Sequence, residues 1–294
     1  MILKYIVKEN KYQSINQILK QEFKISARLQ HKLITSKQIF LNGNQADSRI
    51  TPQINDVITV NLDFNEESEN IIPTQMTLNI VYEDEALLIL DKPAGIAVHP
   101  SILHYTDSLA NGVKYYFDTI GLKRKIRPVN RLDLNTSGLI VFAKNEYVQE
   151  CLIQQMQTNE FKKEYLAIVH GIFEKTQGTI TLPIARKENS IIERCISENG
   201  QEAITHYEVL KTSNDLSLVH CTLQTGRTHQ IRVHMSAIGH PLVGDTLYGS
   251  DFSDSIARQA LHSYKISFIH PISHQIFSFT SELPDDIKSS IEAI

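Results

Sequence analysis

Cysteine is scarce in this chain. The three present, Cys151, Cys195 and Cys221, are an odd number without CxxC spacing, which argues against a disulfide framework and against a cysteine-based zinc site. Long apolar runs are missing too. The longest uninterrupted aliphatic stretch covers residues 86–90, far short of the ~20 residues that a membrane span requires. The opening Met1-Ile2-Leu3-Lys4-Tyr5 has neither a secretory apolar region nor a small-residue cleavage site, so the expectation is a soluble, cytoplasmic protein. There is no P-loop, Rossmann fingerprint, internal repeat or low-complexity segment. What remains is ordinary globular composition. The 294 residues are 41% hydrophobic and 21% charged, enough for a sizeable core and, by length, for two domains.

The net charge of −4 and the sequence pI of about 6.3 conceal an uneven distribution. Residues 1–62 carry nine Lys/Arg against four Asp/Glu, residues 63–70 carry four acids and no base, and the rest is mildly acidic. A basic head, an acidic joint and an acidic body point to a polyanionic partner for the head.

The acidic, aperiodic stretch reads as a linker over residues 63–74, dividing the chain into residues 1–62 and 75–294. In the first part, Ile15, Ile18 and Leu19 recur at helical spacing over residues 14–22. Ser26 is placed to cap a second short helix, with an apolar stripe of Leu29, Leu33 and Ile34 and another face bearing Arg28, His31 and Lys32. Residues 38–41, the turn Asn42-Gly43 and residues 44–46 read as a hairpin with a type I′ turn, and residues 56–60 as a further strand. On charge alone, the basic face is either a solvated helix surface or a nucleic-acid interface. The run Ser14-Ile15-Asn16-Gln17-Ile18-Leu19, Ser26-Ala27-Arg28-Leu29-Gln30 and Ile39-Phe40-Leu41-Asn42-Gly43 resembles the alpha-L RNA-binding domain of the ribosomal-protein-S-four type. That resemblance implies a helix pair and hairpin that grip RNA.

After residue 74 short apolar runs at 80–82, 87–90, 139–142, 165–169, 216–223, 265–268 and 276–279 alternate with Gly, Pro and Asn. Helical spacing is confined to residues 108–116, 146–157 and 228–238. Strands outnumber helices without regular alternation. This predicts an α+β domain around a central mixed, largely antiparallel sheet, with a small α/β module at the N-terminus.

Four segments can carry chemistry. In Pro128-Val129-Asn130-Arg131-Leu132-Asp133-Leu134-Asn135-Thr136-Ser137-Gly138-Leu139, turn-forming residues run straight into an apolar strand, a place where a rigid scaffold can present Arg131 and Asp133. Taken alone, Asp133 reads as a turn or capping residue. In Leu223-Gln224-Thr225-Gly226-Arg227-Thr228-His229-Gln230-Ile231-Arg232-Val233-His234, Thr228 is positioned as N-cap and Gly239 as the residue past the helix end. Ile231, Met235 and Ile238 form the stripe between them, leaving Arg232 in the first turn and off it. His229 and His234 lie about 140° apart on a helix, not at the i, i+4 spacing of an HExxH site, so no metal is read there. Tyr165, opening a strand after Phe161-Lys162-Lys163-Glu164, reads as a half-buried packing residue. Asp91-Lys92-Pro93-Ala94-Gly95 reads as a rigid turn.

In this order, the segments resemble the motifs of RluA-type pseudouridine synthases. Residues 129–144 are similar to the central motif, Lys92-Pro93-Ala94-Gly95 to the first, Lys163-Glu164-Tyr165 to the tyrosine motif and residues 225–234 to the third. Gly239-His240-Pro241, Gly244-Asp245, Tyr248-Gly249, Ala260-Leu261-His262-Ser263 and His270-Pro271 fit the closing pieces. The resemblance covers residues 75–285. One departure is Asn130, where the family usually has His before Arg-Leu-Asp; having both a donor and an acceptor, Asn130 is expected to orient the loop.

The resemblance implies a pseudouridine synthase fold and an isomerase that converts RNA uridine to pseudouridine without cofactor or metal. Asp133 maps to the family's indispensable carboxylate and Arg232 to the cation that keeps it charged and aimed. Tyr165 resembles the aromatic that stacks on the target base and assists removal of the C5 proton. Arg131 resembles the residue that holds RNA open once the uridine leaves its stack, and Arg227 and His229 fall among the substrate-RNA contacts. Phosphate contacts are expected from Lys123, Arg124, Lys125, Arg127, Lys162 and Lys163, and from Arg28 and Lys32 of the head. Large-subunit ribosomal RNA is the implied target, transfer RNA the alternative and a monomer the default. Two other readings stay open: a non-catalytic RNA-binding protein, and a nucleoside or glycoside hydrolase, which requires a second carboxylate near Asp133.

Overall fold

In the computed structural model, which describes residues 1–66, 70–213, 215–249 and 256–292, the basic head is a small sheet backed by two helices. Its elements are β1 (Ile2–Ile6), α1 (Ile15–Gln21), α2 (Ala27–Thr35), β2 (Ile39–Leu41), β3 (Asn44–Gln45) and β4 (Val57–Asn61), with antiparallel strand order β1-β4-β2-β3. Ser26 caps α2 by accepting the Leu29 N–H at 3.3 Å. Ile15, Ile18, Leu19, Leu29 and Leu33 bury against Ile39, Ile58 and Val60. Ile34 does not join this stripe and is 40% exposed, because five residues beyond Leu29 it is turned by about 140° on the helix. Asn42 and Gly43 both have positive φ, as a type I′ turn requires. Strand β1 was not expected, since its outward face carries apolar residues, Ile2 and Ile6, and its alternation is masked.

The body adds β5 (Ile80–Glu83), β6 (Leu87–Lys92), α3 (Leu109–Thr119), β7 (Ser137–Ala143), α4 (Glu146–Gln157), β8 (Lys162–His170) and β9 (Gln177–Ile180). A two-stranded arm, β10 (Ile184–Arg186) and β11 (Arg194–Ile196), precedes β12 (Thr205–Ser213), β13 (Leu216–Leu223), α5 (Gln230–Ala237), β14 (Leu261–Ile269), β15 (Ile276–Thr280) and α6 (Asp285–Glu292). The main sheet runs β5-β6-β7-β14-β8-β13-β12-β9, with β15 also on β14. Every pairing is antiparallel except β7 with β14, so the expected mixed, largely antiparallel α+β sheet is present. Strand β7 is buried along its whole length, which its unbroken run of apolar residues dictates. At its start, Gly138 (φ 105°) lies so close to β14 that a Cβ there would stand 2.3 Å from the Ser263 carbonyl oxygen. The loop carrying Asp133 therefore enters the middle of the sheet where β7 and β14 approach closely. No described helix is long and apolar enough to cross a membrane.

Head and body are fastened together. The head's apolar cluster continues into Ala86, Leu87, Ile89, Val148, Leu152, Phe161 and Phe268. The acidic residues read as linker are anchors where they are described: Asp63 takes the Met1 amino group and Arg124, while Glu66 takes a forked pair from Arg127 (2.7 and 2.8 Å) and the ammonium of Lys32. On α4, Glu150 accepts from Ser26 at 2.6 Å, and Glu146 lies 3.4 Å from Arg28 and 3.6 Å from Lys32.

Burial by itself would push the Glu66 carboxyl up, but hydrogen bonds from Arg127 and Lys32 outweigh it and hold the group at about 2. A carboxyl lowered in the fold stabilises it above the unfolded value of 4.5 and loses that contribution as pH falls from there toward 2. Glu66→Gln, which leaves the Arg127 guanidinium buried without its charge partner, is expected to lower the melting temperature by on the order of 10 °C at pH 7. The deficit should shrink by pH 3. Calorimetry at the two pH values tests this; an unshifted melt at pH 7 would show that the latch contributes nothing.

Candidate active site

The loop bearing Asp133 is tied down at both ends. Asn130 is buried; its Oδ1 accepts the Val141 N–H at 2.9 Å and its Nδ2 donates to the Leu139 carbonyl at 3.3 Å. Its donor and acceptor thus stitch the loop to β7. On the other side Lys92, 1% exposed, donates to the carbonyls of Pro93 (2.8 Å), Ile96 (2.9 Å) and Leu134 (3.0 Å), and the Gly95 N–H adds a bond to Leu134. Burial brings the Lys92 ammonium down to about 7, against the opposing pull of Asp133. The turn at 91–95 is therefore a strut under the residue next to Asp133.

Facing this loop is α5. Arg232 Nη1 stands 3.3 Å from Asp133 Oδ2, while Nε and Nη2 fork onto Asp245 at 2.7 and 2.8 Å. Burial opposes charge on Arg232, but the bonds and charge of Asp245, then of Asp133, raise its basicity. Burial likewise opposes charge on Asp245, which Arg232 and the N–H groups of Leu247 and Tyr248 overcome, holding its carboxyl low. The Tyr248 ring lies 5.0 Å from the guanidinium. Asp245 has no exposed side-chain surface, so it is a support for Arg232 and not the second free acid a hydrolase needs.

The N-terminus of α5 differs from the sequence expectation. Its N-cap is His229, with φ 58° and ψ 20°, not Thr228. Gln230 Oε1 accepts the Arg227 N–H (2.9 Å) and the Thr225 hydroxyl (2.8 Å), so a side chain from inside the helix closes the turn that a capping Thr would have closed.

Asp133, Tyr165, Arg232, Arg131, Arg227 and His229 all line one cleft. Arg131 bridges its mouth to the Thr228 hydroxyl at 3.2 Å, and Arg227 rests on the Glu202 carbonyl at 2.8 Å. Tyr165 on β8 is buried rather than half-buried. Burial, then the charge of Asp133, pushes its phenol up, so the hydroxyl keeps its proton near neutral pH. Lys163, also buried, reaches the Thr225 carbonyl at 3.4 Å; burial, then Arg227, lowers it to about 8.

The expected phosphate contacts divide. Lys123, Lys125 and Lys162 are exposed. Arg124 and Arg127 are buried and committed to Asp63 and Glu66, and Lys32 is held by Glu66 and Glu146. Arg28 is paired with Glu146 although its side chain is 85% exposed. The cause is the neighbouring acids, which neutralise these cations inside the protein. Lys92, Asp245 and Tyr248 were not expected to support the site, because their partners come from distant segments that local spacing does not connect. Among the described residues no group of three His, Cys, Asp or Glu side chains is arranged to hold a metal ion.

Residues 86–237 match the family model described as RNA pseudouridylate synthase. Two Bacillus subtilis proteins named as uncharacterised RNA pseudouridine synthases are similar: YjbO, 38% identical, covers 86% of this chain and 89% of its own, and YhcT, 39% identical, covers 92% and 90%. A ribosomal large subunit pseudouridine synthase D from Zymomonas mobilis is 38% identical, covering 79% of this chain and 77% of its own. Among solved structures, human RNA pseudouridylate synthase domain containing 1 superposes with a TM-score of 0.58 at 28% identity, covering 71% of this chain and 84% of that one.

Proposed function

Given that this chain belongs to the RluA-type RNA pseudouridylate synthases and is an isomerase acting on RNA uridine, we propose that its target is a uridine of large-subunit ribosomal RNA and that Asp133 is its reacting acid. The single observation that carries the assignment of the acid is its cleft: one carboxylate, held from one side by Arg232, opposite a buried tyrosine. Support for the RNA comes from relatives named as ribosomal large subunit pseudouridine synthases.

The reaction breaks the uridine N1–C1′ bond, turns the uracil and joins C5 to C1′; a proton leaves C5 and N1 gains one. Nothing is oxidised or reduced. The Asp133 carboxylate meets the ribose, where positive character develops as the base departs. Tyr165 stacks on the base and keeps water from it. Arg131 and Arg227 at the rim hold the RNA open once the uridine has flipped, a step costing a few kcal/mol. Residues 1–62 form an alpha-L-type RNA-binding head joined through residues 63–74 to a catalytic domain at 75–294. Lys123, Lys125, Lys162 and Arg28 contact phosphates first. Lys32 does so by exchanging a protein carboxylate for a phosphate, and Arg124 stays structural.

The test is tritium release from [5-³H]uridine transcripts of large-subunit ribosomal RNA and of transfer RNA, joined to pseudouridine mapping in cells lacking the protein. Release from the ribosomal transcript and loss of one ribosomal pseudouridine are expected. Release from transfer RNA alone would reassign the target, and free uracil among the products would mark a hydrolase.

A further inference from the structure

His229 is held in a way that RNA contact does not require. It occupies the N-cap of α5, where a side chain ordinarily folds back to accept a backbone N–H, yet its ring makes no such bond. Its backbone is left-handed, a conformation that costs a residue with a Cβ roughly 1–2 kcal/mol and persists only where its surroundings impose it. The effect is to turn the ring into the cleft. Nδ1 lies 2.7 Å from the Tyr248 hydroxyl and Nε2 lies 4.0 Å from Asp133 Oδ2.

These contacts select one tautomer. The Tyr248 hydroxyl accepts the Arg194 N–H at 2.8 Å, which leaves its proton to be given to Nδ1. The neutral imidazole then carries its hydrogen on Nε2, the nitrogen facing Asp133. The charged and titratable groups around the ring are Asp133, Arg232, Arg194, Asp245 and Tyr248; burial is the largest influence and keeps the imidazole below its ordinary range, so it is neutral near pH 7. Both Arg232 and His229 approach the same carboxylate oxygen, Oδ2. Among the described residues nothing hydrogen-bonds to Oδ1.

We propose that His229, fixed as its Nε2–H tautomer by Tyr248, is a positioning residue that shares Asp133 Oδ2 with Arg232 and so leaves Oδ1 as the oxygen presented to the sugar. The inference rests on the reading of Asp133 as the reacting acid and deepens it. The 4.0 Å separation closes by about 1 Å when substrate fills the cleft, as contacts of working sites commonly do.

The experiment measures kcat, KM and pH–rate profiles of the full-length protein on [5-³H]uridine ribosomal RNA, with Asp133→Asn alongside. His229→Ala is expected to lower kcat by roughly 10–100-fold, the loss of a hydrogen bond to a charged group, with KM changed less than about threefold. His229→Gln, which can still offer an N–H, should recover most of that loss. Tyr248→Phe removes the donor that favours the Nε2–H tautomer, so the neutral ring can turn a bare Nε2 toward Asp133. Its kcat is expected to fall near neutral pH and to recover toward the parent's as pH drops and the imidazolium regains an Nε2–H, a pH dependence that lost packing alone would not give. An effect of His229→Ala on KM alone, a Gln variant as impaired as Ala, or a Tyr248→Phe deficit that is the same at every pH would each overturn the proposal. An inactive Asp133→Asn beside a normal His229→Ala sinks this inference and leaves the function standing, whereas an active Asp133→Asn sinks the reading beneath it.

Discussion

Asp133→Asn is expected to reduce single-turnover pseudouridine formation by about a thousandfold or more, the scale on which loss of a reacting group is felt, while RNA affinity and melting temperature stay near those of the unaltered protein. The separation follows from the geometry. Asp133 is one of two carboxylates on Arg232, and the buried one, Asp245, keeps its forked bonds when Asp133 becomes an amide. Arg232 keeps its buried partner and Lys92 keeps its three carbonyl acceptors, so stability has little reason to change. The amide matches the acid in size and cannot serve as a negative oxygen facing the ribose. Tritium release, filter binding and thermal melting on one preparation report all three quantities. Turnover within tenfold of the unaltered protein would remove Asp133 from the chemistry.

Arg232→Gln is expected to do both kinds of damage. The Asp245 side chain has no solvent exposure, and stripping the cation from a fully buried carboxylate costs about 3–5 kcal/mol. Turnover should fall at least about a hundredfold because Asp133 also loses its anchor. The double variant Arg232→Gln with Asp245→Asn removes the stranded charge along with the cation. It is expected to regain most of the stability and none of the turnover, which denaturant melts and tritium release can read separately. A single variant as stable as the parent would show that the pair carries no structural weight, and a double variant that regains turnover would show that Arg232 does not aim Asp133.

Much of the site was legible because its residues fall in short, ordered motifs: Asp133 before an all-apolar strand, Tyr165 at the head of another and Arg232 in a helical turn off the apolar stripe. Their supports were not. Asp245 and Tyr248 act on α5 from a closing segment, and Lys92 acts on Leu134 from 42 positions away. Such pairs are created by folding, and local periodicity carries no trace of them. The basic residues failed in a different way. A charge tally counts Arg124, Arg127 and Lys32 as available, yet Asp63, Glu66 and Glu146 had already claimed them. The stretch bearing Asp63 and Glu66 reads as a linker, and its acidic, aperiodic sequence gives no sign that these two pair with distant cations once the chain folds. Helix α6 escaped notice because its apolar side lies at just two positions, Ile287 and Ile291.

If the head grips RNA as proposed, the carboxylates that hold α2 against α4 also bear on how that grip depends on ionic strength. On the proposed role of the head, a phosphodiester that captures both Arg28 and Lys32 frees Glu146 to draw sodium or potassium from solution, while Glu66 keeps its forked pair with Arg127. Ions shed by the RNA would be partly reabsorbed in this way, so the logarithmic dependence of affinity on salt is expected to be shallower than the roughly −0.7 per contact of single-stranded polymers.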